Sequence, residues 1–541
     1  MFSSWIVSSI VNALRALVLS LPSLVLCASI LSLLLFAFRG TEDLWSHIYE
    51  FVLWRALWNT LVTSFLAIFF ASLVGVILAW LVVFVDFPGR RFFSAVLALP
   101  LAFPAYVFAF IAIGSLDYSS QLMTWLRESW AVDGHALFQI RSRLGMSLVL
   151  AASFYPYVYL LAREAFRSQG ASLFEASRSL GCRPFAGVWR LSLPLARPWI
   201  LSGVALVLME SMADFGVASA FNIETLTVAV YRVWFSMFSL PHAAQLALIH
   251  LGIVLLFLGL LRKLTREHLR YEDRGAGAEA PWEFQISRPW TWLISTGVTC
   301  FWFVVFVLPV LQLILWSLPS IQGGLDARFL GWVRNAILMS AATAILVCFF
   351  AFLITYLQRI YRLKALFSFA RFATVAYAFP GSVLALSLSL VLIFIFGSTG
   401  AMGQWVLLAM WMALGLRFFA VGFQPIYQGF RRLSMNLDEA SQSLGVSGFR
   451  LFLRLHFPLI RPSVLAAFLF VMMDCLKEMP IHVMMRPFGW DTLAVRIFEF
   501  TREGEWERAA LPALVIVMIS FPIVLWLSLK LSGIRKAEDS R

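Results

Sequence analysis

The chain has 541 residues, 61% of them hydrophobic and 13% charged, with a mean hydropathy of +0.85 and a formal charge of +13. Water-soluble domains run near half apolar and a quarter charged, so this composition excludes a soluble globular fold. The basic excess does not point to nucleic acid, because the arginines and lysines cluster in short loops between apolar stretches, the pattern that orients membrane proteins.

Stretches long enough to cross a hydrocarbon core of roughly 30 Å as helices fall at about 17–38, 57–85, 92–115, 144–165, 197–220 and 243–262. Six more follow at about 291–316, 334–357, 368–396, 402–426, 461–481 and 509–531. The expected architecture is an all-α polytopic membrane protein with about 12 transmembrane helices in two halves. These cover residues 1–265 and 291–541, with a linker over 266–290. The stretch from Leu19 to Phe38 is too long for a signal-peptide core and lacks a small-x-small site before Arg39, so it reads as a retained first span. Pro104 and Pro380 lie inside spans and are expected to kink them. The linker mixes charges with Gly275, Gly277 and Pro281, as a solvated hinge would. Cys27, Cys182, Cys300, Cys348 and Cys475 are scattered, with no Cys-x-x-Cys, and read as apolar fillers.

Orientation follows from the loops. Arg90, Arg91, Arg359, Arg362, Lys364 and Arg371 mark one side, and Arg262, Lys263, Lys530, Arg535 and Lys536 fall on the same side. That side is expected to be cytoplasmic and to hold both termini.

Two loops on this side repeat each other, over about 167–195 and 430–459. Glu175-Ala176-Ser177, Gly181 and Leu193-Pro194 recur as Glu439-Ala440-Ser441, Gly445 and Phe457-Pro458, at a constant offset of 264. Asn59 and Asn335, expected to cap or bridge helices, and Pro104 and Pro380 repeat at an offset of 276. The in-out order is the same in both halves, which describes a parallel repeat. Within each loop a short helix is expected to end at the glycine in the left-handed conformation. A second turn follows, and Pro194 or Pro458 breaks it before the next span.

This pattern resembles the EAA loop of ABC importer permeases of the type I fold. Ser177 and Ser441 stand in place of the motif's second alanine, and Leu191 and Leu455 where isoleucine is typical. The resemblance implies that the loop residues Glu175, Ala176, Gly181, Pro194, Glu439, Ala440, Gly445 and Pro458 belong to two coupling helices, each seating in an ATPase subunit. A phosphate-cradling Gly-x-x-x-x-Gly-Lys-Ser/Thr is required for ATP hydrolysis, and no Gly-Lys dipeptide occurs in this chain. ATP-Mg would therefore be bound by two partner ATPases and not by this chain, which has no catalytic residues and no cofactor of its own. A periplasmic substrate-binding protein, membrane lipids and a bacterial inner-membrane location complete the expectation.

The helices after each loop are similar to the ferric-iron branch of the fused permeases. The similarity lies in Met209 to Gly216, Thr225 to Phe235, Lys477 to Pro480 and Arg486 to Ala494. Glu210 and Asp214, and Asp474 and Glu478 at the 264 offset, are four apart and so share a helix face. Carboxylates inside spans commonly face a cavity, and a hard cation prefers oxygen ligands. The four are candidate pathway residues making transient contact with Fe3+, with structural contacts as the alternative; no stable metal site is expected. Thioethers are too soft for Fe3+, so Met484 and Met485 beside His482 read as packing.

Thiamine, sulfate or another small solute are the other substrates considered. A gradient-driven secondary transporter fits the helix count but does not account for the repeated loops. A membrane-embedded enzyme has less support: none of the seven histidines has His-x-x-x-His spacing.

Overall fold

The computed structural model describes residues 2–130, 139–179, 187–266, 282, 284, 286–322, 326–361, 364–397, 402–446 and 448–532. Among these, nine helices are long and apolar enough to cross a membrane, or up to 12 when each of three bent pairs counts as one span.

In the first repeat the main helices are α1 (Phe2–Ala37), α2 (Trp54–Phe84), α3 (Ala105–Leu116), α4 (Arg143–Arg167), α5 (Ala171–Ser179), α6 (Leu193–Ala213), α7 (Gly216–Ala220), α8 (Leu226–Phe235) and α9 (Leu240–Arg266). The second repeat runs through α10 (Arg288–Trp302), α11 (Leu308–Gln322), α12 (Ala327–Tyr361), α13 (Gly381–Phe396), α14 (Met402–Arg417), α15 (Phe419–Arg431), α16 (Met435–Ser443), α17 (Phe457–Lys477), α18 (Pro480–Met485), α19 (Leu493–Glu503) and α20 (Trp506–Ser532). Several spans are longer than hydropathy suggests: Glu42–Phe84, Arg288–Gln322 and Ala327–Tyr361 reach 43, 35 and 35 residues. Their polar ends continue as helix past the apolar stretch that a transfer scale detects.

Two compact units are distinguished by packing. One comprises Met1–Trp45, Val230–Leu248 and Asp326–Val495; the other comprises Ser46–Ala229, Ile249–Leu325 and Arg496–Arg541. Each unit therefore takes its opening span from the other repeat. In the first unit α1 packs on α13, where Ser32 Oγ donates to the Ser387 carbonyl at 2.9 Å. In the second unit Ser295 of α10 donates to the Pro88 carbonyl at 2.9 Å, and α11 packs on α20.

Pro104 and Pro380 break their spans outright. The helices on either side meet at 88° and 119°. A proline disfavours helical geometry in the residue before it, and Phe103 and Phe379 are extended at ψ 136° and 127°. A break inside lipid frees backbone carbonyls, which must find donors within the protein. At Pro380 a buried arginine supplies one: Arg417 at the end of α14 donates to the Phe379 carbonyl at 2.7 Å, while in the other half the buried Arg163 on α4 donates to the Ser94 carbonyl, ten residues before Pro104. Arg417 also pairs with Glu478 at 3.6 Å, both side chains being at most 9% exposed. The bend sits tightly on that carboxylate, since a Cβ on Gly381 would lie 2.3 Å from Glu478 Oε1.

Asn59 bridges its helix to α4, and Asn335 ties its helix to the loop before α19. Asn59 Nδ2 donates to the Glu224 carbonyl at 2.9 Å while its Oδ1 accepts from Arg143. Asn335 Nδ2 faces the Gly489 and Asp491 carbonyls at 3.2 and 3.1 Å.

Removing one member of a buried pair strands the other. Arg417→Met should therefore cost about 3–5 kcal/mol, read as a lowered midpoint of thermal unfolding in detergent. Adding Glu478→Gln should recover part of the loss; an unchanged midpoint in the single variant would show that the bend does not depend on this guanidinium.

Candidate functional site

The two repeated loops occupy matching places, one in each compact unit. In the second unit α4 ends at Arg167, and Gln169 turns the chain back. Its Nε2 donates to the Ser192 carbonyl at 2.9 Å, and Ser192 Oγ donates to its Oε1 at 2.5 Å. Helix α5 then presents Glu175, Arg178 and Ser179 outward and buries Phe174 and Ser177. Phe174 lies in an aromatic cluster, 5.2 Å from Phe84, 6.1 Å from Phe284 and 6.4 Å from Trp282 between ring centres.

The first unit builds the same turn with charge. Counting 264 on, Phe174 becomes Asp438, Ser192 becomes His456 and Gln169 becomes Leu433; counting 276 on, Val83 becomes Arg359. Arg359 grips Asp438 with two hydrogen bonds, Nε to Oδ2 at 2.9 Å and Nη2 to Oδ1 at 3.0 Å. It also donates to the Leu433 and Ser434 carbonyls at 3.0 Å each. His456 Nε2 sits 2.9 Å from Asp438 Oδ1. Burial pushes the Asp438 carboxyl up, but the hydrogen bonds and charges of Arg359 and His456 outweigh it and hold the group below the usual carboxylate range. Glu439 and Ala440 are exposed on α16.

Gly445 ends α16 at φ +76°, and Val446 N donates back to the Ser441 carbonyl at 2.9 Å, the geometry that glycine permits at a helix end. Gly181 lies outside the described residues. The prolines do not break the chain before the next span. Val188–Ser192 and Phe452–His456 are π-helical turns that run unbroken into α6 and α17, with Pro194 and Pro458 in their first helical turn. A proline lacks the N–H that the regular ladder would use, and the wider turn accommodates that omission at the same repeat position in both loops. Pro194 and Pro458 are exposed.

The four candidate pathway carboxylates divide between the units, Glu210 and Asp214 in one and Asp474 and Glu478 in the other. Asp214 and Glu478 stand just past the ends of α6 and α17, both extended at ψ 126° and 124°. Each caps the short helix that follows. Asp214 Oδ1 accepts from Val217 N at 2.7 Å, and Glu478 Oε2 accepts from Ile481 N at 2.9 Å. Glu478 is 5% exposed and also paired with Arg417. Glu210, Asp214 and Asp474 are half-buried. His482 Nδ1 bonds the Glu478 carbonyl at 2.8 Å, and Met484 and Met485 are buried. No cluster of three or more potential metal ligands occurs among the described residues. Cys348 and Cys475 are buried, Cys27 and Cys300 exposed. Sequence reasoning missed Arg163, Arg359 and Arg417, whose partners lie 38 to 79 residues away.

Residues 71–269 match the family described as binding-protein-dependent transport system inner membrane component. The Fe(3+)-transport system permease protein FbpB 2 of Haemophilus influenzae is 25% identical over 475 residues, 85% of this chain and 87% of that protein. The molybdenum transport system permease protein ModB of Escherichia coli is 28% identical over 227 residues, 39% of this chain and 93% of ModB. The sulfate transport system permease protein CysT of the same organism is 26% identical over 208 residues, 37% of this chain and 72% of CysT. The alignment to FbpB 2 is long enough to include both repeats, whereas the other two have the length of one. With its membrane-spanning helices and paired loops, the chain is similar to permeases of the binding-protein-dependent transport system inner membrane component family, which its residues 71–269 match.

Proposed function

We propose that this chain is a transmembrane permease subunit of an ABC importer that moves Fe3+ inward across the inner membrane by alternating access. The observation that carries this reading is the similarity to an Fe(3+)-transport permease across 85% of the chain. Two separate ATPase subunits bind the cytoplasmic loops, one on α5 and one on α16, and hydrolyse ATP-Mg there. Exposure of Glu175 and Glu439 on these short helices supports that role. A periplasmic binding protein delivers the ion, and both termini are cytoplasmic.

The pathway carboxylates take a narrower role in this reading. Glu210, Asp214 and Asp474 are accessible enough to meet a passing cation, whereas Glu478 is committed to Arg417 and to the α18 backbone. A gradient-driven mechanism loses its ground with the family match. The likeness to ModB and CysT favours a second substrate reading, a small oxyanion such as sulfate. It covers less than half of the chain and ranks below iron for that reason.

ATP hydrolysis by the permease with its cognate ATPase in nanodiscs, with binding protein added with and without Fe3+, tests the proposal. Stimulation by the iron-loaded form alone is expected. Assembly without iron stimulation would move the substrate to the oxyanion, and failure to assemble would remove the coupling role of the loops.

Asp438→Asn should weaken two charge-assisted hydrogen bonds, each worth about 1.5–3 kcal/mol. Stimulated hydrolysis should fall while Fe3+-loaded binding protein still associates. Because the folded carboxyl titrates below its unfolded value of roughly 3.9, its stabilisation is present above that pH and is lost as the pH falls through the folded value. Hydrogen exchange of α16 should therefore accelerate as the native chain is acidified below that pH, whereas in Asp438→Asn it should already be fast at neutral pH and lack this acid step.

A further inference from the structure

The unlike chemistry of the two loops leaves a question of mechanics. A coupling helix transmits force only if it is held against the membrane helices. In the first unit the Arg359, Asp438 and His456 cluster does this, fixing α16 to the end of α12 and to the turn before α17. None of the three has a charged counterpart in the other half, where Val83, Phe174 and Ser192 stand. Gln169 and Ser192 hold the turn by bonding to each other.

The end of the linker lies against α5. Trp282 stacks on Phe174 with the rings 22° apart, and the Arg178 guanidinium lies 5.4 Å from the Trp282 ring centre. Phe284 N donates to the Phe84 carbonyl at 2.8 Å, and Phe284 and Val85 form a parallel β-bridge. The Phe284 ring is 9% exposed, among Trp80, Phe84 and Phe174. A solvated tether has no use for buried aromatics or for a bridge to the end of a span. At this end the linker is not the solvated hinge that its composition suggests. α10 begins at Arg288, four residues after Phe284. The contact thus joins α5, the end of α2 and the start of α10, all within one compact unit.

We propose that Trp282 and Phe284 form a strap that positions the first coupling helix, supplying in this half what the Arg359, Asp438 and His456 cluster supplies in the other. This rests on the coupling role proposed above for α5 and α16. The strap acts through α5 and touches neither ATP nor substrate, so its residues are positioning residues. Pull on α5 is passed through the strap to α10 as well as along α4.

The test separates a strap from a tether. In one variant residues 282–284 become Gly-Ser-Gly and the chain stays continuous; in the other the chain is cut after Gly275 and the two pieces are co-expressed. Both are assembled with the ATPase in nanodiscs, and hydrolysis stimulated by loaded binding protein is measured against ATPase concentration. The strap requires the continuous replacement to raise the half-saturating ATPase concentration roughly tenfold, equivalent to about 1.4 kcal/mol. It also requires the cut chain, which keeps the strap on α10, to behave as the native one. Trp282→Phe should retain stacking and function, and Trp282→Ser should not. Trp282 is half-buried at the edge of the cluster, so this single change keeps the test open if the triple replacement fails to fold.

A replacement that works with a cut chain that does not would overturn the strap in favour of a plain tether. So would Trp282→Ser at native affinity. Gly445→Pro in the other loop serves as reference. If it leaves hydrolysis coupled, the coupling reading itself has failed; if it uncouples while the strap variants do not, only the strap has failed.

Discussion

In hydrocarbon a backbone amide or carbonyl finds no water, so every interruption of a helix must be answered from within the protein. That constraint organises this structure. The spans broken at Pro104 and Pro380 turn through 88° and 119°, and at the sharper bend a buried arginine on a neighbouring helix reaches the carbonyl just before the proline. That arginine, Arg417, serves both the Phe379 carbonyl and the Glu478 carboxylate. Glu478 in turn caps α18. Bend, arginine, carboxylate and short helix form one chain of dependence, in which each buried polar group is the reason the next can be buried.

Much of this was legible wherever a local rule suffices. The left-handed glycine at Gly445 follows from what a helix end needs, and the interruption at Pro104 and Pro380 from what proline forbids. Asn59 and Asn335 were legible as groups in need of partners because an amide inside a span must be satisfied. Their acceptors were hidden, since the Glu224 and Asp491 carbonyls lie more than 150 residues away. At Pro194 and Pro458 the proline rule misleads, because a π-helical turn absorbs the missing donor without ending the helix.

The carboxylates show a different limit. An acidic residue late in a span, followed by a short turn, reads equally well as a pathway ligand or as the cap of the next helix. Spacing cannot separate the two, because the distinction lies in a partner placed by the fold. For Glu478 that partner is Arg417, 61 residues earlier in the chain. For Asp214 and Glu478 the extended backbone past the helix end aims the side chain at the amides of α7 and α18. Helix-face arithmetic, which assumes that the helix continues, therefore misplaces them relative to Glu210 and Asp474.

The two halves keep one plan where geometry demands it and diverge in blocks where chemistry allows. Val83, Gln169, Phe174 and Ser192 stand against Arg359, Leu433, Asp438 and His456. No member of the second set would be stable alone in the first. An aspartate at position 174 would face the rings of Phe84 and Phe284, and an arginine at position 83 would meet the aromatic Phe174 where its counterpart meets Asp438, so the charged pair works only when both members change together. The converse exchange, a phenylalanine for Asp438, would strand Arg359 against a ring. The two solutions are therefore separated by several simultaneous substitutions, and each half is confined to its own. The aromatic solution needs a lid that the ionic one does not, since an apolar patch on a short exposed helix must be covered, and the linker with its Trp282 and Phe284 supplies one.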